Sequence, residues 1–433
     1  MLIGLIACSG APEQPPAEVA PAQPPLPPPP GAERVPGAPP GAGPGGPPPG
    51  GAPGSGADLQ DSAGFPIFHT WPAPQGPRVT KAGDFSSPQQ LSVDPAGGYR
   101  PQIAVGGGDA LHVLFYDRSD GGDIIRHRVG PDWSAPARVG FDEDRNWGPD
   151  LVARADGSVV MVFDHALPTF VSRGWLSEWD GSWSKPAPLT ADDPQGEIGS
   201  GHVAHGTGED LAYVWIGKKM DPQQRFVARG MWRQDGQWSQ PTAFTDGTED
   251  AWHTNVERRP DGSVLVGYDV GTGGGETALY LVNGSNGRFE TPNAIGTGER
   301  PHFAFGAQDH VTWFHKIDGR PIAVKVVSGQ PGAWSAPTEV SEGYGGFHFD
   351  PDIAINGDGV RCLVWGWDAG KEAELVYSLD RGSGWEEPRK VASLGQGKPG
   401  LPSIDVDQQG AFHVVWNQGE RGDSHVYYAT LSP

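Results

Sequence analysis

Seven polar residues recur about fifty positions apart, each set in an otherwise apolar stretch: Gln102, Asp150, His202, Asn255, His302, Asp352 and Ser403. Thirteen to sixteen residues after each comes a second polar position, in the order Asp117, Asp164, Lys218, Asp269, His315, Asp368 and Asn417. Carboxylates and imidazoles exchange hydrogen bonds with hydroxyls, and the indoles of Trp147, Trp215, Trp252 and Trp367 suit the apolar face of a pyranose ring. The combination predicts a non-catalytic site for a neutral glycan or a protein ligand. An anionic sugar would fit only if Arg100 and Arg300 turn inward. Two enzyme chemistries compete with plain binding. Asp117 with Asp164, or Asp352 with Asp368, would supply the acid and base of a glycoside hydrolase. His253 or His302 beside a tyrosine and Arg300 would serve a lyase. A divalent ion shared by His202, His302, Asp150 and Asp352 would have to bridge residues two repeats apart, so neither a metal nor a cofactor is predicted.

Side chains so regularly spaced must be positioned by a repeated element. The first polar residue of each pair opens an alternating strand, a turn follows, and a second strand ends at or near the second polar residue. Examples are PQIAV then LHVLFYD from Pro101, and PDIAI then CLVWGWD from Pro351. Period-two alternation around turns such as Asp156-Gly157, Asp261-Gly262 and Asp358-Gly359 predicts antiparallel hairpins. A third strand follows, then a fourth marked by an aromatic residue three positions before a proline. That mark stands at Phe85, Trp133, Trp183, Trp238, Phe289, Trp334 and Trp385, a period of 45 to 55 residues suited to propeller blades. The first element met is an isolated fourth strand at Phe85, and the last three strands end near Ser432. Together the ends complete one blade and leave no open edge between first and last. The predicted fold is all-β, a seven-bladed β-propeller closed by its N- and C-terminal strands.

The segment SLDRGSGW, Ser378 to Trp385, resembles the Asp-box, or bacterial neuraminidase repeat, of sialidase-like propellers. SEWDGSW ending at Trp183 and RQDGQW ending at Trp238 are degenerate copies, and the resemblance extends over roughly residues 85–433. It implies that Asp380 caps backbone amides in the turn between third and fourth strands, and that Trp385 packs between blades, away from the ligand face. For activity it implies little, since this fold hosts sialidases, neutral-polysaccharide hydrolases and, among seven-bladed relatives, polysaccharide lyases using His, Tyr and Arg. A sialidase would have six blades, an arginine trio with an Arg-Ile-Pro motif, a Tyr/Glu nucleophile pair and an acid/base Asp. This sequence has seven repeats and no Arg-Ile-Pro; the nearest pairs are Arg100-Pro101 and Arg300-Pro301.

Composition agrees with short strands and many turns: 66 glycines, 45 prolines and 36% hydrophobic residues. A net charge of −22 opposes nucleic acid and anionic lipid headgroups as partners. Cys8 and Cys362 lie too far apart in context to suggest a disulfide framework, and Cys362, in the run RCLVW, is predicted to be a buried strand residue. The opening MLIGLIACSG resembles the lipobox of bacterial lipoprotein precursors, which implies that Cys8 is lipidated. It departs from that pattern in having no Lys or Arg before an apolar run shorter than a full signal peptide. Such a run cannot span a bilayer, so acyl chains would be the only membrane contact. The expected organisation is a lipobox-like segment 1–8, a disordered Pro/Gly/Ala-rich tether 9–58, a lead-in 59–84 and the propeller 85–433. The expected protein is an exported, lipid-anchored monomer of the cell envelope.

Overall fold

The computed structural model describes residues 72–433 except 94–96, 118–122, 142–145, 167–171, 190–196, 206–209, 219–224, 272–276, 318, 396, 421–422 and 433. Cys8, the tether and residues 59–71 lie outside the described residues. Seven antiparallel blades form a closed ring, as the repeats predict. Their innermost strands, numbered as blades 1 to 7, are Tyr99–Val105, Asn146–Ala153, Glu197–His205, Asp250–Arg258, Glu299–Phe305, Phe347–Ile355 and Lys398–Val406. Each touches the next, and the seventh touches the first.

Stacking buries both faces of every blade. The second strands are therefore mostly apolar, and in Leu111–Asp117 and Val264–Gly271 every residue is buried. The core is a series of clusters between adjacent blades; Val214 and Ile216 of blade 3, for example, interlock with Val264, Val266 and Tyr268 of blade 4. At about 1.5–3 kcal/mol for each large apolar side chain buried, these interfaces hold the ring together.

The repeated Trp-Ser-x-Pro mark also has a physical reason. The outer strand is short and lies at the blade edge, where proline is tolerated because no ladder bond is needed from it. The serine turns back on the third strand. The hydroxyls of Ser134, Ser184, Ser239 and Ser335 accept the amides of Val129, Glu178, Trp232 and Ser328 at 2.9, 3.0, 3.1 and 3.1 Å. In the corresponding turn of blade 6, Asp380 Oδ1 accepts the amides of Gly382 and Gly384 at 2.7 and 3.1 Å.

Closure is by the predicted exchange of termini. Gln89 and Gln90 pair with Tyr428 and Tyr427 as the outer strand of blade 7. The Ser86 amide donates to the Thr430 carbonyl at 2.8 Å, and the Phe85 ring meets Tyr377 edge-on at 4.9 Å. The lead-in is also ordered where described. Val79 is fully buried in the blade 5–6 core, and Ala82 bridges Lys390 on the outer strand of blade 6, covering an edge that would otherwise be open. Cys362 is a buried free thiol.

Candidate functional site

An innermost strand has no sheet neighbour on its channel side, so its inward amides need other partners. The first polar series supplies them. Asp150 Oδ2 accepts the Val203 amide of the next blade at 2.8 Å, Asp352 Oδ2 accepts that of Ile404 at 2.9 Å, and Ser403 Oγ accepts that of Ile103 at 3.2 Å. Asn255 donates from Nδ2 to the Pro301 carbonyl at 3.1 Å. The histidines lean on the same carboxylates: His302 Nδ1 lies 3.1 Å from Asp352 Oδ1, and His202 Nδ1 lies 3.5 Å from Asp150 Oδ2. These residues brace one blade to the next around the channel. The His202–Asp150 and His302–Asp352 pairs are separate, and no metal-binding group of three or more ligands occurs among the described residues.

Two residues before each brace, every innermost strand has a one-residue bulge. In blade 1 the register runs Tyr99 to Tyr116, then Gln102 to Leu114, and the same slip recurs in the other six blades. Proline follows the bulged residue in five of them, at Pro101, Pro149, Pro301, Pro351 and Pro402, where the extra residue's missing ladder bond makes the absent N–H harmless. The bulged residues take positive φ: Arg100 45°, Gly148 56°, His253 43°, Arg300 57°, Asp350 47° and Leu401 40°. For a non-glycine residue this costs about 1–3 kcal/mol, and such strain clusters at functional sites. All of these bulged residues but the buried Asp350 border the opening. Arg100, His253, Arg300 and Leu401 line a cavity of about 80 Å³ at the channel mouth, which meets the wider chamber of about 400 Å³ at Gln102, His202, Asn255 and His302.

The second polar series stands behind this opening. None of Asp117, Asp164, Asp269, His315 and Asp368 lines the mouth or the chamber. Nor do they share one register. Asp164, Asp269 and Asn417 face Trp147, Trp252 and Gly400, beside the bulge, whereas Asp368 faces Phe347, further along the first strand, and Asp117 lies just past the Tyr116 that faces Tyr99. Asn417 Oδ1 accepts the Arg100 amide and Asp269 Oδ2 accepts the Arg300 amide, both at 3.3 Å, so each pins the bulge of the following blade. Asp117 pairs with Arg126 at 2.6 Å, Asp368 pairs with Lys398, and His315 turns to Thr297 on the outer strand of blade 4. Lys218 lies at an end whose side chain is outside the described residues.

One bulge carries more than the others. His253 Nδ1 lies 2.9 Å from Asp269 Oδ2, and Asp269 is fully buried. On the next blade Arg300 Nε lies 3.5 Å from Asp350 Oδ1. An imidazole held by a buried carboxylate thus sits one blade from a guanidinium, with Arg100 on the same ring of bulges. Blades 2 and 3 are small at the same level, with Gly148 and Gly201 lining the cavity.

The sequence singled out the braces and second-strand carboxylates; Arg100, His253 and Arg300 entered only as conditions for anionic or lyase chemistry. Their signal was the residue before proline at the head of each repeat. Among the described residues, none of the expected indoles lines the opening. Trp215 and Trp367 are fully buried between blades, Trp252 packs edge-on against Phe226 at 4.5 Å, and the Trp147 side chain lies outside the described residues. Deeper in the channel, Glu257 and Asp405 sit near Asp150 and Asp352. Glu257 is exposed to the channel, and its confinement there away from bulk water, then the neighbouring carboxylates, holds it above the usual carboxylate range; burial pushes the half-buried Asp405 up to about 6.

No protein-family model matches the chain, and no curated protein is similar to it. Solved structures are. A protein of unknown function from Dyadobacter fermentans is 12% identical over 82% of this chain and 99% of its own, with a TM-score of 0.50. A polysaccharide lyase, an ulvan lyase bound to -[GlcA(1-4)Rha3S]-, is 13% identical over 83% of this chain and 98% of its own, with a TM-score of 0.54. A Hadza microbial sialidase is 12% identical over 71% and 73%, at a TM-score of 0.46. At these identities the likeness is one of fold, and it places the chain among propellers of this architecture.

Proposed function

We propose that the channel mouth binds an acidic polysaccharide, holding the carboxylate of one sugar ring on Arg300 and Arg100. The carrying observation is that both guanidinium-bearing bulges line the opening beside His253, which meets the condition for an anionic ligand. A bidentate guanidinium–carboxylate contact is stronger than a neutral hydrogen bond. The overall charge of −22 is no obstacle at contact range, because distant exposed charges are screened beyond about 8 Å in physiological salt. The ulvan lyase of similar fold is bound to a glucuronate-containing chain, which makes that chain the natural probe. Titrate the protein with a glucuronate–rhamnose oligosaccharide and with its carboxyl-reduced form. The acidic form is expected to bind, and Arg300→Ala to weaken it about tenfold or more. Equal binding of acidic and reduced forms would remove this reading.

The His253–Asp269 pair favours a second, catalytic reading, β-elimination. With the carboxylate neutralised by arginine, an imidazole base removes the proton at C5 of the uronate. The C4–O4 bond then breaks, O4 takes up a proton, and a C4=C5 double bond remains. His253→Ala should then retain binding within a few-fold while losing the ultraviolet-absorbing unsaturated product. Binding by the wild type with no such product leaves the mouth as a binding module. Anchoring through Cys8 is part of the same proposal. It rests on the lipobox-like run and the Pro/Gly tether, and Cys8→Ser should move the protein from the membrane fraction to the soluble one.

A further inference from the structure

A second cavity opens between blades 3 and 4, with a volume of about 350 Å³. Its wall is a ladder of three rings. Phe244 and Tyr268 lie 6.1 Å apart at 16°, and Tyr268 and Tyr280 lie 5.5 Å apart at 12°. The Tyr268 hydroxyl is committed to the Phe244 carbonyl at 3.3 Å, and both residues are buried. Tyr280 is half-buried, and its hydroxyl has no partner among the described residues. Thr245 Oγ1 has no hydrogen-bond partner among the described residues and is closed to solvent. On the lip, Thr248 donates its amide and hydroxyl to Asp246 at 2.9 and 2.7 Å, and the exposed Glu249 stands beside that turn. Among the described residues, no lysine, arginine or histidine lines the cavity.

We propose that this cavity is a second saccharide site, for a neutral sugar ring. A hexose offers an apolar face to Tyr280 and hydroxyls to the Tyr280 hydroxyl and to the exposed Glu249 carboxylate. The carboxylates of Asp246 and Glu249 on the lip favour a neutral sugar over the acidic one proposed for the mouth. The ring ladder also discriminates against an ammonium ligand. A cation cage needs several aromatic faces converging on one point, whereas near-parallel stacked rings present a single outer face.

This site does not rest on the reading of the mouth. Tyr268 and Asp269 are consecutive on one strand, so their side chains leave opposite faces of blade 4. Tyr268 packs toward blade 3, and Asp269 holds the Arg300 amide of blade 5.

The test is binding of cellohexaose, xylohexaose and mannohexaose, with choline as the cationic control, to the full chain by saturation-transfer NMR and calorimetry. At least one neutral hexasaccharide is expected to bind. Tyr280→Ala should weaken it about tenfold, and Glu249→Gln several-fold without loss of melting temperature, since Glu249 is exposed. Arg300→Ala should leave this binding unchanged, which separates it from the mouth. Binding of none of the three, binding of choline alone, or loss in Arg300→Ala with retention in Tyr280→Ala would overturn the proposal.

Discussion

Two rings of side chains lie two residues apart on the same seven strands, and they are built on opposite principles. In the brace ring, Asp150, Asn255, Asp352 and Ser403 bond the backbone of the next blade, and their chemistry is dictated by channel-side edges that need partners. In the bulge ring, the occupants run Arg, Gly, His, Arg, Asp and Leu at blades 1, 2, 4, 5, 6 and 7, and the non-glycine members carry strained φ. A fold that needed only a bulge would favour glycine at every such position, as Gly148 shows. The comparison teaches that polarity in the brace ring is structural, whereas the strained, chemically varied positions of the bulge ring are not explained by the fold's own bonding and are where the proposed ligand would be read.

Removing a brace should have the largest effect. Asp352 accepts the amides of Ile353 and Ile404 and contacts His302, so Asp352→Ala leaves buried donors unpaired. A loss of about 3 kcal/mol or more is expected in urea unfolding, and a loss below about 1 kcal/mol would show that channel water replaces the carboxylate.

Acid should act next, and it divides the blade interiors from the channel. Burial holds His112, His310 and His348 down at about 4, and burial with the neighbouring His112 holds His127 at about 3. Two of these rings must stay neutral as acceptors: Trp183 Nε1 donates to His127 Nδ1 and Trp365 Nε1 to His348 Nδ1, both at 3.1 Å. The unfolded chain, titrating near 6.5, binds these protons first, so their stability is intact above pH 6.5 and is lost as pH falls toward 4. Asp405 acts with the opposite sign. Its raised folded value lets the native state take the proton first, so stability returns as pH falls from about 6 toward the ordinary carboxylate range. Four rings outweigh the channel, and the melting temperature is expected to drop between pH 7 and pH 5. In Asp405→Asn that drop should be steeper. A flat profile would show that the histidines are hydrated.

The bulge ring should respond differently. Arg300→Gly relieves a φ of 57° but removes a partner of the buried Asp350, so the two effects oppose and the net change in stability should stay within about 1 kcal/mol, while binding of the acidic oligosaccharide is lost. A greater loss would mean that the Arg300 side chain is itself a brace. The smallest effect belongs to Leu401→Gly, a strained bulge at 40° with no charge to offer. It should gain up to about 1 kcal/mol of stability, and its binding should change by less than about twofold.

The sequence by itself determined the all-β class, the count of seven blades and the shared seventh blade, and the Asp-box resemblance implied the structural place of Asp380. The first three follow from local periodicity, turn chemistry or an unpaired edge, and those act within one repeat. It also marked the polar position of every innermost strand, but not what that side chain would face. Alternation along a strand assigns a residue to one face, and a single bulge resets that assignment, so Asp150 and Asp352 read as ligand-facing when the amides of the next blade take their carboxylates. Only the tertiary structure decided that Arg100, His253 and Arg300, scattered over two hundred residues, share one opening, and that the carboxylate behind His253 also holds the backbone of Arg300. The reason is closure: a ring brings together residues whose separation in sequence is set by blade length, while the direction each one points is set by the neighbouring blade.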